Sequence, residues 1–143
     1  MREIKFRGKG KYCEYKDKWI YGYLYVYYEP KIYSILNENN VVKLNEYGSC
    51  VPAFINVDKN TIGQYTGLKD KNGIEIYEGD IIKSSYVDNI RVIFFDDHDS
   101  SFTLYDFKSN QNVRLFRSFC DEYEVIGNKY DNPELLEVND NEK

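Results

Sequence analysis

The sequence predicts a mostly β protein, and three observations carry that prediction. Its 143 residues contain 15 Tyr and 8 Phe but one alanine, Ala53, and one methionine, Met1. The best helix formers are therefore scarce, while residues that suit a pleated, half-buried surface abound. Apolar residues recur with period two in several short runs, and Gly, Asn and Asp clusters separate those runs. Tyr, Asn, Lys and Ile share A/T-rich codons, so a low-GC genome also inflates them, but codon bias cannot produce alternation. The expected architecture is an N-terminal antiparallel sheet over about residues 1–60, then a small β-barrel-like region, SH3-like or related, within 61–143, ending in a short helix. The two parts are equally readable as one continuous domain.

The elements follow in order. Ile4-Lys5-Phe6-Arg7 alternates and predicts a first strand; Gly8 to Asp17 is polar and predicts a loop. Trp19 to Tyr28 is the strongest strand signal. Trp19, Tyr21, Tyr23, Tyr25 and Tyr27 share one face, and Ile20, Gly22, Leu24, Val26 and Tyr28 the other. A strand apolar on both faces is either covered on both sides or offers its aromatic face to a partner. Lys31–Leu36 and Val41–Leu44 predict two strands about a hairpin loop at Asn37-Glu38-Asn39-Asn40. Val51 to Val57 alternates, with Pro52 restricting it to a sheet edge or a strand start.

Residues 61–80 pack four glycines, an Asn-Gly pair and an alternating run into one segment. Asn72-Gly73 predicts a type I′ hairpin before Ile74–Tyr77, and Glu78-Gly79-Asp80 predicts a second sharp turn before Ile81-Ile82-Lys83. Ile90–Phe95 and Phe102–Phe107 predict a hairpin across Asp96-Asp97-His98-Asp99-Ser100; Val113–Phe116 and Tyr123–Ile126 supply the last strands. Asn132-Pro133 predicts a helix of a turn or two, with Asn132 as its N-cap, and residues 139–143 are expected to fray.

Composition narrows the function classes. Net charge is −5 and unevenly placed: residues 1–60 carry ten Lys/Arg against seven Asp/Glu, and residues 61–143 nine against seventeen. Cys13, Cys50 and Cys120 are odd in number and widely spaced, which fits reduced thiols and neither a zinc motif nor a secreted disulfide framework. No apolar run approaches a membrane span, and the N-terminus is too polar for a signal peptide, so a cytoplasmic protein with no membrane partner is expected.

No catalytic constellation stands out, and the chain is expected not to be an enzyme and to need no cofactor or metal. Glu78 and Asp80 flank a glycine, where acids serve turns more often than chemistry. Asp96-Asp97-His98-Asp99 holds the single histidine, but consecutive residues at a hairpin tip point in different directions, so a solvated loop is preferred to a metal site. Two candidate interaction sets remain. One is the aromatic row, Tyr21, Tyr23 and Tyr25, together with Gln64, Tyr65 and Thr66, which turn geometry does not demand. A covered sheet face is the default reading of the tyrosine row; because Tyr buries much area while keeping a polar tip, a protein interface is its best functional alternative. The other is Lys5, Arg7, Lys9 and Lys11, interleaved with Phe6, Tyr12, Tyr15 and Trp19, as a nucleic-acid face. The acidity of the whole chain argues against it.

Met1–Arg7, Thr61–Asp80, Tyr123–Asn128 and Asn132–Leu136, in that order, resemble the YopX family of small bacteriophage and prophage proteins. The resemblance spans nearly the whole chain. It implies a phage gene acting in a bacterial cytoplasm and a mostly β fold, and it implies no established activity. Many relatives have Ala-Trp after the opening Phe-Arg, where this chain has Gly8-Lys9. The expected role is thus a non-enzymatic accessory protein that binds itself or a host or phage protein, with nucleic-acid binding as the alternative.

Overall fold

The computed structural model describes residues 1–43 and 50–137. The chain divides into two compact units, Met1–Gln64 and Tyr65–Lys143. Among the described residues strands dominate both, all pairings between named strands are antiparallel, and no helical segment exceeds four residues. No helix of the described residues is long and apolar enough to cross a membrane.

In the first unit, β1 (Phe6–Lys9), β2 (Trp19–Tyr28), β3 (Lys31–Lys43) and β4 (Cys50–Asn56) lie in the order β4-β3-β2-β1, and the first residues of β5 (Gly63–Lys69) pair with β1. β2 changes partner along its length. Trp19–Gly22 pairs with β1 and Tyr23–Tyr28 pairs with β3. The change falls at Gly22, where a Cβ would stand 2.0 Å from the Leu36 carbonyl oxygen and 3.1 Å from Ile35 Cγ2. Only glycine permits so close an approach of β3. The inner face buries Ile20, Ile35, Ala53, Ile55 and Val57, and Phe6, Leu24 and Ile62 pack against them. Each such aliphatic side chain contributes roughly 1.5–3 kcal/mol by leaving water.

Two expectations about this unit are corrected. The first strand starts at Phe6, two residues later than the alternation predicts. Asn37–Asn40 is no hairpin loop: β3 runs through it, and its register on β4 shifts between Asn37 and Val41. The polar residues are absorbed as a bulge, in which the Asn37 side-chain oxygen accepts from Asn39 N–H at 2.8 Å. Leu44 lies outside the described residues. Pro52 sits on β4, the edge strand of the sheet, as its missing N–H requires.

In the second unit the rest of β5 pairs with β6 (Glu75–Tyr77). A five-stranded sheet follows in the order β10-β9-β8-β7-β11, from β7 (Asp80–Ser84), β8 (Ile90–Asp96), β9 (Ser101–Asp106), β10 (Gln111–Arg114) and β11 (Tyr123–Asn128). The sheet is open, with β10 and β11 as its edges, so the barrel-like expectation fails as a closed barrel. A four-residue helix, Arg117–Cys120, separates those two strands. Its Cys120, with Ile76 and the partly buried Leu68, seals a core of Ile82, Ile93, Phe102, Leu104 and Tyr123 without a closing strand. The expected terminal helix is a single 3-10 turn, Pro133–Leu136. Asn132 does not cap it; its side-chain oxygen accepts from Asn128 N–H at 3.3 Å instead. Residues 139–143 lie outside the described residues.

Asp106 closes the β9–β10 hairpin from inside. It is 1% exposed, and Oδ1 accepts from the backbone N–H groups of Lys108 and Ser109 at 3.0 and 3.1 Å. Oδ2 receives Arg91 Nε at 2.9 Å and Asn89 Nδ2 at 3.0 Å. Burial alone would raise its pKa, but the hydrogen bonds from Ser109 and Lys108 and the Arg91 guanidinium outweigh that and hold it below the ordinary carboxylate value.

Two measurements check these points. Gly22→Ala is expected to lose at least about 2 kcal/mol in urea denaturation, because β3 must retreat from the new methyl group. Asp106→Asn is expected to destabilise the protein at pH 7. A carboxyl depressed in the folded state adds stability above its unfolded pKa and loses it as pH falls through the folded one. The gap between wild type and variant should therefore narrow as pH drops below about 4; a gap constant from pH 7 to pH 2 would contradict the assignment.

Candidate functional site

Register fixes which side chains share the outer face of the N-terminal sheet. Antiparallel partners point to one side, so Lys9 and Trp19, Arg7 and Tyr21, Tyr23 and Leu36, Tyr25 and Ser34, and Tyr27 and Ile32 lie together. Phe54 and Asn56 join them from β4 opposite Leu36 and Ser34. Tyr21, Tyr23, Tyr25, Tyr27 and Phe54 retain 44–57% of their accessible surface. Tyr25 meets Tyr27 and Phe54 edge-to-face, with ring centroids 4.8 and 5.6 Å apart. Such geometry matches the ring quadrupoles and holds the rings against the sheet. The aromatic face of β2, read by default as covered, is instead solvent-facing, and Phe54 is a member that alternation in β2 alone could not disclose.

Taking about 200 Å² per aromatic side chain, these five leave roughly 500 Å² of aromatic surface in water. That lies within the roughly 300–600 Å² of the largest apolar patch on a typical monomer, a patch that is often functional. Arg7 and Lys9 are the charged outer-face positions of β1. Arg7 is 5% exposed, with its guanidinium carbon 4.6 Å from the Trp19 ring centroid, and Lys9 Nζ lies 5.5 Å from the same ring. Trp19 thereby covers the cation of Arg7.

The four cations considered for nucleic acid do not form one open strip. Arg7 is buried, and Lys5 pairs with Glu3 at 3.4 Å. Lys9 lies on the outer face with Trp19, while Lys11 extends past the strand with its Nζ 5.6 Å from the Tyr12 ring.

Within residues 61–80, Gln64 pairs with Phe6 in register. Tyr65 and Thr66 are each 5% exposed; the Tyr65 ring packs 5.4 Å from that of Tyr77, and Thr66 Oγ1 donates to the Ile76 carbonyl at 2.8 Å. The type I′ turn is corrected: among residues 70–74 only Gly73 has positive φ, at 81°, so Asn72 does not take the left-handed conformation that such a turn needs. The loop is organised by Asp70, whose Oδ1 accepts from Asn72 and Ile74 N–H at 2.8 and 2.9 Å and whose Oδ2 accepts from Val125 N–H at 2.9 Å. At the second break, Asp80 Oδ2 accepts from Tyr77 N–H at 2.8 Å. Both acids serve the backbone. In the β8–β9 turn, Asp96 Oδ1 accepts from His98 N–H at 2.9 Å, and Asp99 reaches Arg114 at 3.7 Å. No group of three His, Cys, Asp or Glu side chains that could hold a metal occurs among the described residues. Burial pushes the Cys120 thiol above its ordinary pKa, aided by nearby Asp121, which disfavours the reactive thiolate.

These features define a mostly β protein of two antiparallel sheets, one of which presents an aromatic face to solvent. The chain belongs to the YopX family: the family model described as YopX protein matches residues 5–137. Among solved structures it is similar to protein EF1440 from Enterococcus faecalis, at 26% identity and a TM-score of 0.60, over 96% of this chain and 100% of that one. No curated protein matches the chain.

Asp70→Ala strands three backbone donors, one of them on β11. It is expected to lower stability by about 3 kcal/mol and to speed amide exchange at Val125. Unchanged exchange at Val125 would show that the carboxylate does not hold β11.

Proposed function

We propose that the protein is a non-enzymatic binding protein of a phage or prophage, acting in the host cytoplasm, whose contact surface is the outer face of β1 to β4. The exposed aromatic row carries this reading. Its first occupant is a second copy of the chain. About 500 Å² of aromatic surface already supplies more than half of the roughly 800 Å² that each partner buries in a stable complex. Tyr hydroxyls both donate and accept, so a tyrosine row can satisfy a copy of itself. A twofold interface brings identical surfaces together, and this one carries little open charge to repel itself. Nucleic acid is the less favoured ligand because Arg7, the cation nearest the centre of the face, is buried against Trp19. Gln64, Tyr65 and Thr66 are left with a role in folding.

Light scattering coupled to size exclusion tests the reading. The wild type is expected to elute as a dimer or larger assembly. Tyr23→Lys with Tyr25→Lys, both at exposed positions, is expected to weaken association at least about tenfold without loss of secondary structure. A wild type that stays monomeric at about 100 µM defeats self-association. Tight, salt-sensitive binding to a labelled single strand would shift the face to nucleic acid.

A further inference from the structure

Away from the tyrosine row, the first unit contains a cleft of about 380 Å³ on which three separate segments converge. Lys11 and Tyr12 come from the chain after β1, Lys31 from the start of β3, and Asn56, Asp58 and Lys59 from the end of β4 and the turn beyond it. Main-chain bonds fix these segments to one another. Lys11 N–H donates to the Asn56 carbonyl at 2.9 Å, Val57 N–H to that of Tyr33 at 3.0 Å, and Asp58 N–H to that of Lys9 at 2.8 Å. The walls of the cleft are thus held in place before any ligand arrives, which lowers the entropy cost of binding.

Its charge is one-sided. Lys11, Lys31 and Lys59 line it together with one carboxylate, Asp58, whose Oδ1 is already engaged by Asn60 N–H at 3.0 Å. None of the three lysines forms an ion pair among the described residues. Lys11 lies 5.6 Å from the Tyr12 ring and Lys31 5.7 Å from that of Tyr33, contacts that leave most ammonium hydrogens available. Asn56 Oδ1 receives Ser34 Oγ at 2.7 Å, so the end of that amide still on offer is its NH₂ donor. Donors and positive charge therefore line a cavity of ligand size.

We propose that this cleft binds the phosphate group of a small phosphomonoester. Three ammonium groups with no guanidinium fork suit a compact, multiply charged anion better than a flat carboxylate. Tyr12, 56% exposed at the rim, offers its ring to the body of the ligand. The cleft shares Ile32 and Asn56 with the outer-face positions but none of the four tyrosines of β2.

The test titrates the full chain at low salt with inorganic phosphate, with AMP and with a single-stranded octanucleotide, following amide shifts and heat. Saturable binding of phosphate and AMP is expected, with shifts centred on Lys11, Lys31 and Asn56 to Lys59. The Lys11→Gln, Lys31→Gln, Lys59→Gln triple variant is expected to lose at least about tenfold in affinity for both. Lys59→Gln alone, at an exposed position, gives a partial loss and serves if the triple variant unfolds. Tyr12→Ala should weaken AMP and leave phosphate unchanged. Absence of saturation by about 10 mM, or affinity unaltered by the lysine changes, overturns the proposal. Binding of the octanucleotide more than about tenfold tighter than AMP, with a steep salt dependence, assigns the phosphate to a polymer and overturns it as well.

Discussion

In the C-terminal unit, buried carboxylates take over the work of closing loops. Asp70, Asp80 and Asp106 are 6%, 1% and 1% exposed, and each accepts from at least one backbone N–H group. An unpaired buried amide costs about 1–3 kcal/mol, so these contacts decide whether the tight turns between short strands are tolerable at all. Asp70 does most. It receives two amides within its own loop and Val125 N–H, fifty-five residues along, so one carboxylate fixes both a turn and an edge strand. Mutation of Asp70 or Asp106 reaches beyond its own turn, to β11 and to Asn89 and Arg91. That is why acids that resemble catalytic pairs in the sequence are spent on structure.

The N-terminal unit depends on a different constraint, the approach of β3 to β2 at Gly22. One strand there serves two partners, and the handover is possible because the residue has no side chain. The same geometry keeps β2 long enough to carry four outward tyrosines in a row. With the opposite face committed to Ile20, Leu24 and Ile35, the tyrosines have no core left to enter.

β2 was legible in the sequence to the residue, because ten alternating positions leave no other periodicity. Which of its faces meets solvent was not legible, since Tyr is at home in either setting. β3 departs from its sequence pattern because Asn37 to Asn40 has turn composition, and a bulge on a strand near the sheet edge tolerates the same residues. Asn72-Gly73 misled for a related reason: an Asp three residues before the glycine organises a longer loop, and local pair statistics omit that carboxylate. The burial of Arg7 could not be read from its neighbours, because Trp19 reaches it only through strand pairing. The lysine cleft was invisible for the same reason. Lys11, Lys31 and Lys59 are spaced by twenty residues or more and share no pattern until β1, β3 and β4 are brought together.

The distribution of charge ties the two proposed surfaces together. The first unit holds a modest basic excess, the second a strong acidic one, yet the cations of the first unit are not gathered on its aromatic face. Arg7 is withdrawn beneath Trp19, and Lys11, Lys31 and Lys59 border the cleft. An aromatic sheet face whose Arg7 and Lys9 are both held beside Trp19 favours contact with another low-charge surface, since burying unpaired ammonium groups there would cost several kcal/mol each. Cations kept at a solvent-accessible cleft avoid that cost and keep their attraction for a small anion. The segregation thus lets one small sheet offer an apolar surface beside the proposed anion cleft.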